Sequence, residues 1–290
     1  RALAAAPAPD PRRALEVLGE LARDPRRGVR FEAASVLARV PVEALPAAAR
    51  AAAAACIAEY ETLLRARTDD FAGHYNLGNL AQDRGDFDKA LASYAAARRL
   101  NPSFIPARVN MALCHARRGD NDAAERELRD ALRIEPQSAE ALFNLGLLRA
   151  ERGDPGEAEQ CLRAALKADP HLAQAAYNLA VMVIGERPDE GLRLFMQAVE
   201  EAPSEPRYSY AFAFHLRRLG EPRRAIEILR SLGARSPPGG EVIALLGLLY
   251  EETGALDEAR ALYREARGRA DLPEGVRLEC AARLAALEGR

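Results

Sequence analysis

Apolar residues recur along most of this chain at steps of three and four, and the pattern is itself repeated. Between Ala72 and Arg84 the positions Tyr75, Leu77, Leu80 and Ala81 follow helical rather than alternating spacing. Gly85 ends that run, where a left-handed backbone costs glycine little. Asp86 then caps a second helix reaching about Leu100, and Asn101-Pro102 stops it. The small residues Gly78, Ala90 and Ala97 let the two helix backbones approach closely. The stretch Phe71–Pro102 then recurs. Asn76, Asn110, Asn144 and Asn178 stand 34 residues apart, and Gly85, Gly119 and Gly153 keep the same step. So do Ala90, Ala124 and Ala158, and Ala97, Ala131 and Ala165. Pro102, Pro136 and Pro170 close three copies, with Pro203 following after 33 residues and Pro237 after 34 more. Self-similarity at this length predicts an all-α solenoid, in which each unit buries its apolar face only against its neighbours.

The units run 71–104, 105–138, 139–172, 173–205, 206–239 and 240–273. The fourth is one residue short around Gly185 to Pro188 and has Gly191 where alanine is expected, which puts its turn geometry apart from the others. The fifth carries Leu232 at an alanine position, and the sixth recovers the pattern with Gly247, Tyr250, Gly254, Ala259, Tyr263 and Ala266. Tyr208, Tyr210, Phe212 and Phe214 alternate like a strand, but the repeat register places all four on a helix, with Tyr208 and Phe212 inward and Tyr210 and Phe214 outward. Glu274 to Leu287 reads as a final helix covering the last apolar face within a C-terminal segment 274–290.

Upstream, residues 1–9 are Ala/Pro-rich and expected to be loose. Asp10 to Val40 reads as a different helical pair, and Pro41 and Pro46 precede an Ala-rich helix from Ala47 to about Arg67. Its later half, with Cys56, Tyr60 and Leu63, falls in register with the second helix of the repeat, so residues 46–70 read as a linking half-repeat.

The repeated unit resembles the tetratricopeptide repeat. That pattern of small and aromatic positions is met by Leu77, Gly78, Ala90, Tyr94, Ala97 and Pro102, and again by Leu145, Gly146, Ala158, Leu162, Ala165 and Pro170. The resemblance implies a right-handed α-solenoid of antiparallel helix pairs, with six such units over 71–273. In residues 1–45, Asp24-Pro25, Val29-Arg30, Ala33-Ala34 and Leu37 resemble the second helix of a HEAT repeat.

In tetratricopeptide proteins the first helices line a concave groove, which here implies a ladder of Asn76, Asn110, Asn144 and Asn178. A carboxamide offers two donors and an acceptor, so such a ladder can pair with the backbone of an extended peptide. It resembles the asparagine ladder in the repeat arm of O-linked N-acetylglucosamine transferases. The structural alternative is that these amides bond neighbouring helix backbones. Flanking them are Tyr75, Val109, Phe143, Tyr177 and Tyr210, then Asn79, Leu113, Leu147, Val181 and Phe214, a groove more apolar than polar. Chaperone-tail-binding members of the family use Lys and Arg at these positions, and the first three repeats lack them, so an acidic C-terminal tail is not the expected ligand. Arg217-Arg218 and Glu251-Glu252 occupy equivalent places in adjacent repeats and are expected to exchange ion pairs.

Composition narrows the rest. In 290 residues the formal charge is only −2, which argues against a nucleic-acid surface, and no apolar run reaches the roughly 18 residues that span a bilayer. Cys56, Cys114, Cys161 and Cys280 are far apart and form neither CxxC nor CxxCH, so no disulfide framework, metal site or attached haem is expected. His74, His115, His171 and His215 sit at non-equivalent places, and adjacent Cys114 and His115 point apart on a helix. With no phosphate loop, HExxH or GxSxG, the sequence reads as a non-catalytic scaffold that needs no cofactor.

The sequence begins with Arg1 and shows no signal peptide, so it is expected to be a piece of a longer chain. The order of HEAT-like pair, linking helix with Glu59-Tyr60, and units containing NLGNL, NPSFIPARVN and PRYSYAFA resembles the C-terminal part of certain bacterial multihaem c-type cytochromes. That resemblance implies docking to, or continuation from, an electron-transfer domain in the periplasm or outside the cell. The residues themselves leave a cytoplasmic location open. The other reading is the substrate-selecting arm of a transferase.

Overall fold

The computed structural model describes residues 11–66, 69–234 and 237–289. Within them lie sixteen α-helices, one short 3-10 turn and no strand. The loose stretch expected at residues 1–9, and Arg67 at the expected end of the linking helix, lie outside the described residues. The chain divides into two compact units between Ala168 and Asp169.

The first unit begins with α1 (Pro11–Leu21) and α2 (Arg27–Leu37), both packed on α3 (Ala47–Ala66). Ala33, Ala34, Leu37, Ala53 and Cys56 form their shared core. Arg30 on α2 ties that helix to α3 and to the loop before it: its guanidinium binds Glu59 on α3 at 2.8–3.0 Å and donates to the Asp24 and Pro25 carbonyls. Three hairpins follow: α4 (Phe71–Asp83) with α5 (Phe87–Leu100), α6 (Ile105–Arg117) with α7 (Asn121–Ile134), and α8 (Ala139–Glu151) with α9 (Pro155–Ala168). The two helices of each hairpin pack on one another, and each hairpin packs on the next through α5 against α6 and α7 against α8. Asp86 and Asp120 cap α5 and α7 by accepting from Lys89 N and Ala123 N, as their place before each helix requires.

The second unit contains α10 (Ala173–Val183), α11 (Pro188–Glu201), α12 (Pro206–Arg218), α13 (Pro222–Gly233), α14 (Gly240–Glu252), α15 (Leu256–Gly268) and α16 (Glu274–Glu288). Its core runs from Ala180 and Phe195 through Phe212, Leu229 and Leu249 to Tyr263. Cys280, Leu284 and Leu287 of α16 join that core, while Leu278 on the opposite face is 63% exposed. Among the described residues, no helix is long and apolar enough to cross a membrane.

Five hairpin turns place a glycine at φ between 75° and 81°: Gly85, Gly119, Gly153, Gly220 and Gly254. The fourth repeat does otherwise. Its first helix ends at Val183, Arg187 N bonds back to Val183 O at 2.8 Å, and Gly185 is not left-handed. This shorter turn draws α11 against the end of α10, so a methyl at Gly191 would lie 2.8 Å from the Ile184 Cα. The missing residue and the glycine in place of alanine are one change: the tighter turn leaves no room for a side chain.

Candidate functional site

In the first unit the inner face is built by the first helices α4, α6 and α8. Equivalent positions recur one repeat apart, so α8 presents Glu140, Asn144, Leu147 and Glu151, spaced along one side of the helix. The corresponding positions on α6 are Pro106, Asn110, Leu113 and Arg117, and on α4 Ala72, Asn76, Asn79 and Asp83. Burial, and next the negative charge of Glu140, push the Tyr75 phenol up.

The asparagines on this face do not behave alike. Asn110 is held in a network within the protein: its Nδ2 lies 3.1 Å from Tyr75 Oη, 3.0 Å from Asn79 Oδ1 and 3.3 Å from Tyr94 Oη. The Tyr94 hydroxyl, with one proton to donate, lies 2.8 Å from Asn79 Oδ1 and 2.9 Å from Gln82 Oε1, and Cys114 Sγ reaches Gln82 Oε1 at 3.3 Å. Tyr94 is completely buried, and the loss of hydration pushes its phenol far up, so it stays protonated as a donor. Asn144 instead donates to the Glu140 carbonyl of its own helix at 2.8 Å. Asn76 is half-buried on α4.

One repeat further on, the same place is a cleft. Tyr94 is matched by Leu128, Asn79 by Leu113, Gln82 by Ala116 and Cys114 by Leu148. Where the phenol and its polar partners fill the first position, the smaller apolar side chains leave about 470 Å³ open between α6, α7 and α8. Ala112, Leu128 and Leu148 form its floor, Leu113 and Leu147 its walls, and Asn144, Arg117 and Glu151 its polar rim. The exchange is possible because of the residue beneath. A methyl at Gly78 would lie 2.9 Å from Tyr94 Cζ, so the ring needs that glycine, whereas Ala112 stands under Leu128. Gly247 and Tyr263 repeat the glycine–tyrosine pairing in the second unit, where a methyl would fall 2.6 Å from Tyr263 Cζ.

Leu113, Asn144 and Leu147 thus come together at one cleft, with Phe143 half-buried beside them on α8. Val109 is a correction. Expected on the groove, it has no exposed surface and belongs to the core with Leu128 and Leu145. Its side of α6 faces the α7 and α8 side chains, and the branched side chain packs there. Tyr75 and Asn79 are half-buried and held by the network, with Tyr75 also edge-on to Phe104 at 5.0 Å. Sequence reasoning missed Ala112, Leu128 and Leu148, although aligning Tyr94 with Leu128 displays the loss of bulk.

In the second unit, Tyr177 packs on Tyr208 at 4.8 Å with the Arg207 guanidinium 5.2 Å above its ring. Tyr210 stacks on Phe214 at 6.5 Å, and Arg218 lies 5.9 Å over Phe214. Asn178 donates to the Gln174 carbonyl at 2.7 Å, and Val181 is 46% exposed. Tyr208 and Phe212 are buried while Tyr210 and Phe214 are partly exposed. Arg217 pairs with Glu252 at 2.9–3.0 Å, but Arg218 goes to the aromatic ring and Glu251 accepts from Tyr263 Oη at 2.6 Å.

The thiols are all buried, and burial pushes Cys114 up to about 11, which keeps it protonated near neutrality. Among the described residues no group of three His, Cys, Asp or Glu side chains could hold a metal.

The Tetratricopeptide repeat family pattern matches residues 75–139, 109–173, 143–206 and 210–273. The solved structure of pilF from Pseudomonas aeruginosa is similar at 19% identity, over 73% of this chain and 97% of that one, with a TM-score of 0.59. A tetratricopeptide repeat protein from Parabacteroides merdae is similar at 20% identity, over 96% of this chain and 100% of that one, with a TM-score of 0.50. At such identities the likeness is one of fold. No curated protein matches the chain.

Proposed function

The chain belongs to the tetratricopeptide-repeat family, and on that premise we propose that it is a non-catalytic scaffold for protein–protein interaction. Its α6–α8 face holds an extended, partly apolar segment of another polypeptide. The observation that carries this reading is the cleft of about 470 Å³, walled by Leu113 and Leu147 and rimmed by the Asn144 amide. An apolar recess with a few polar groups at its edge favours an inserted aliphatic or aromatic side chain over water. Asn144 uses one amide hydrogen on its own helix, which leaves its carbonyl to receive a backbone N–H of the bound segment. Buried, protonated thiols and scattered histidines fit a scaffold rather than an enzyme.

Peptides selected from a random display library against the full chain test this directly. Titration calorimetry on the winners is expected to show a loss of more than roughly ten-fold for Leu147→Glu, because a carboxylate placed in the cleft loses hydration without a partner. Leu278→Glu, on the exposed face of α16, is the control and is expected to bind normally. Winners bound equally well by the wild type and Leu147→Glu would exclude the cleft.

A further inference from the structure

Glu140 differs from the ion-paired carboxylates of its unit. Glu127 receives Arg98 and Arg108, and Glu125 receives Arg129, Arg149 and Arg152. Asp83, on the inner face of α4, is paired with Arg39 at 3.1 Å. Glu140 has no basic partner among the described residues. It is solvent-exposed, yet the surrounding protein strips enough hydration to push its carboxyl up, and no cation acts on it in return. Its place in the first turn of α8 suits the helix dipole, which steadies the charge but leaves it unpaired. The Tyr75 phenol on α4 feels its charge. Of the ionised groups along that side of α6 and α8, Glu140 and Glu151 are negative and only Arg117 is positive. An unpaired carboxylate within a partly desolvated trough is complementary to a cation brought by a ligand.

We propose that the segment held by this face carries a lysine or arginine for Glu140 about three residues from the apolar side chain that enters the Leu113–Leu147 cleft. The proposal rests on the scaffold reading and adds the chemistry of the partner. The spacing follows from the helix. Glu140 and Leu147 are seven residues apart on α8, roughly 10 Å at 1.5 Å per residue. An extended chain covers that distance in about three residues. Between the two anchors lies Asn144, placed to meet the ligand backbone.

The same display selection, carried out on the full chain with random nonapeptides, tests the idea. The winners are expected to be enriched in Lys or Arg about three positions from a large apolar residue. Synthetic winners should bind Glu140→Gln roughly three-fold more weakly, the scale of a solvent-exposed ion pair. Analogues with norleucine in place of the basic residue should bind wild type and Glu140→Gln equally, which also shows that the variant is folded. Glu140→Lys should recover affinity for peptides in which the basic residue is replaced by glutamate. Winners that lose affinity with Leu147→Glu but keep it with Glu140→Gln overturn the proposal and leave the scaffold reading standing. Winners indifferent to both substitutions, or no binder at all, overturn the scaffold reading and this one with it.

Discussion

The cleft exists because Leu128 stands where the previous repeat has Tyr94, so restoring the tyrosine should close it. The structure sets how this must be done. In the first repeat the ring lies so close to Gly78 that a methyl there would be 2.9 Å from Cζ, and the equivalent of Gly78 is Ala112. Leu128→Tyr alone therefore drives the ring into the Ala112 methyl, an overpacking expected to destabilise by about 1–3 kcal/mol. Ala112→Gly alone gives up about 1 kcal/mol of helix propensity, with a buried methyl's contacts in addition. Together the two changes reproduce the Gly78–Tyr94 arrangement, and the phenol reaches the rim where Asn144, the counterpart of Asn110, can meet it. The double variant should then be more stable than the sum of the singles by about 1–3 kcal/mol, the coupling expected of residues in direct contact. Urea denaturation followed by circular dichroism on the four members of the cycle measures that coupling. The double variant should also keep its helical content while losing affinity for the selected peptides. Strict additivity, or a double variant that binds as the wild type does, would refute the account of how the cleft arises.

Other consequences are open to direct measurement. Tyr94→Phe removes a buried hydroxyl shared by Asn79, Gln82 and Asn110 and should lower stability by about 1–3 kcal/mol in urea denaturation, whereas a change within a few tenths would show that the network contributes nothing. Gly191→Ala should destabilise by about 1–3 kcal/mol despite its better helix propensity, because the methyl meets the Ile184 backbone. Gly156→Ala, at the start of α9 with no carbon atom near, serves as its control and should be neutral or slightly stabilising. All four thiols are buried with their pKa values raised by loss of hydration, so a chromogenic disulfide should react slowly with the native protein and with four equivalents after denaturation. Fast reaction of Cys114 in the native state would contradict its place in the core.

The architecture was readable because repeats are local. Each hairpin is fixed by signals within its own 34 residues: Asp86 at an N-cap, Gly85 at φ 75°, alanines at the close contacts. The shortened fourth turn was also visible in the sequence, through one missing residue and Gly191. The inner-face residues were legible only as a set of positions. Register alone placed Val109 on the groove beside Phe143, but whether a side chain lies open depends on what neighbouring helices place against it. The α7 and α8 side chains cover Val109 and leave Leu113 at the cleft.

Similarly, the 34-residue spacing makes Asn76, Asn110 and Asn144 look like one ladder, while their environments make them different groups. Asn110 is bound by two tyrosines and Asn79 because those side chains happen to converge there. Asn144 has leucines in the matching places and turns to its own helix. The sequence by itself determined the period, the helices and the family, since each is specified by residues close along the chain. The tertiary structure alone decided that one repeat's polar plug is the next repeat's cleft, and that Glu140 is left without a counter-charge. Both depend on the volumes and charges that three separate helices bring to one point, and no local spacing encodes that sum.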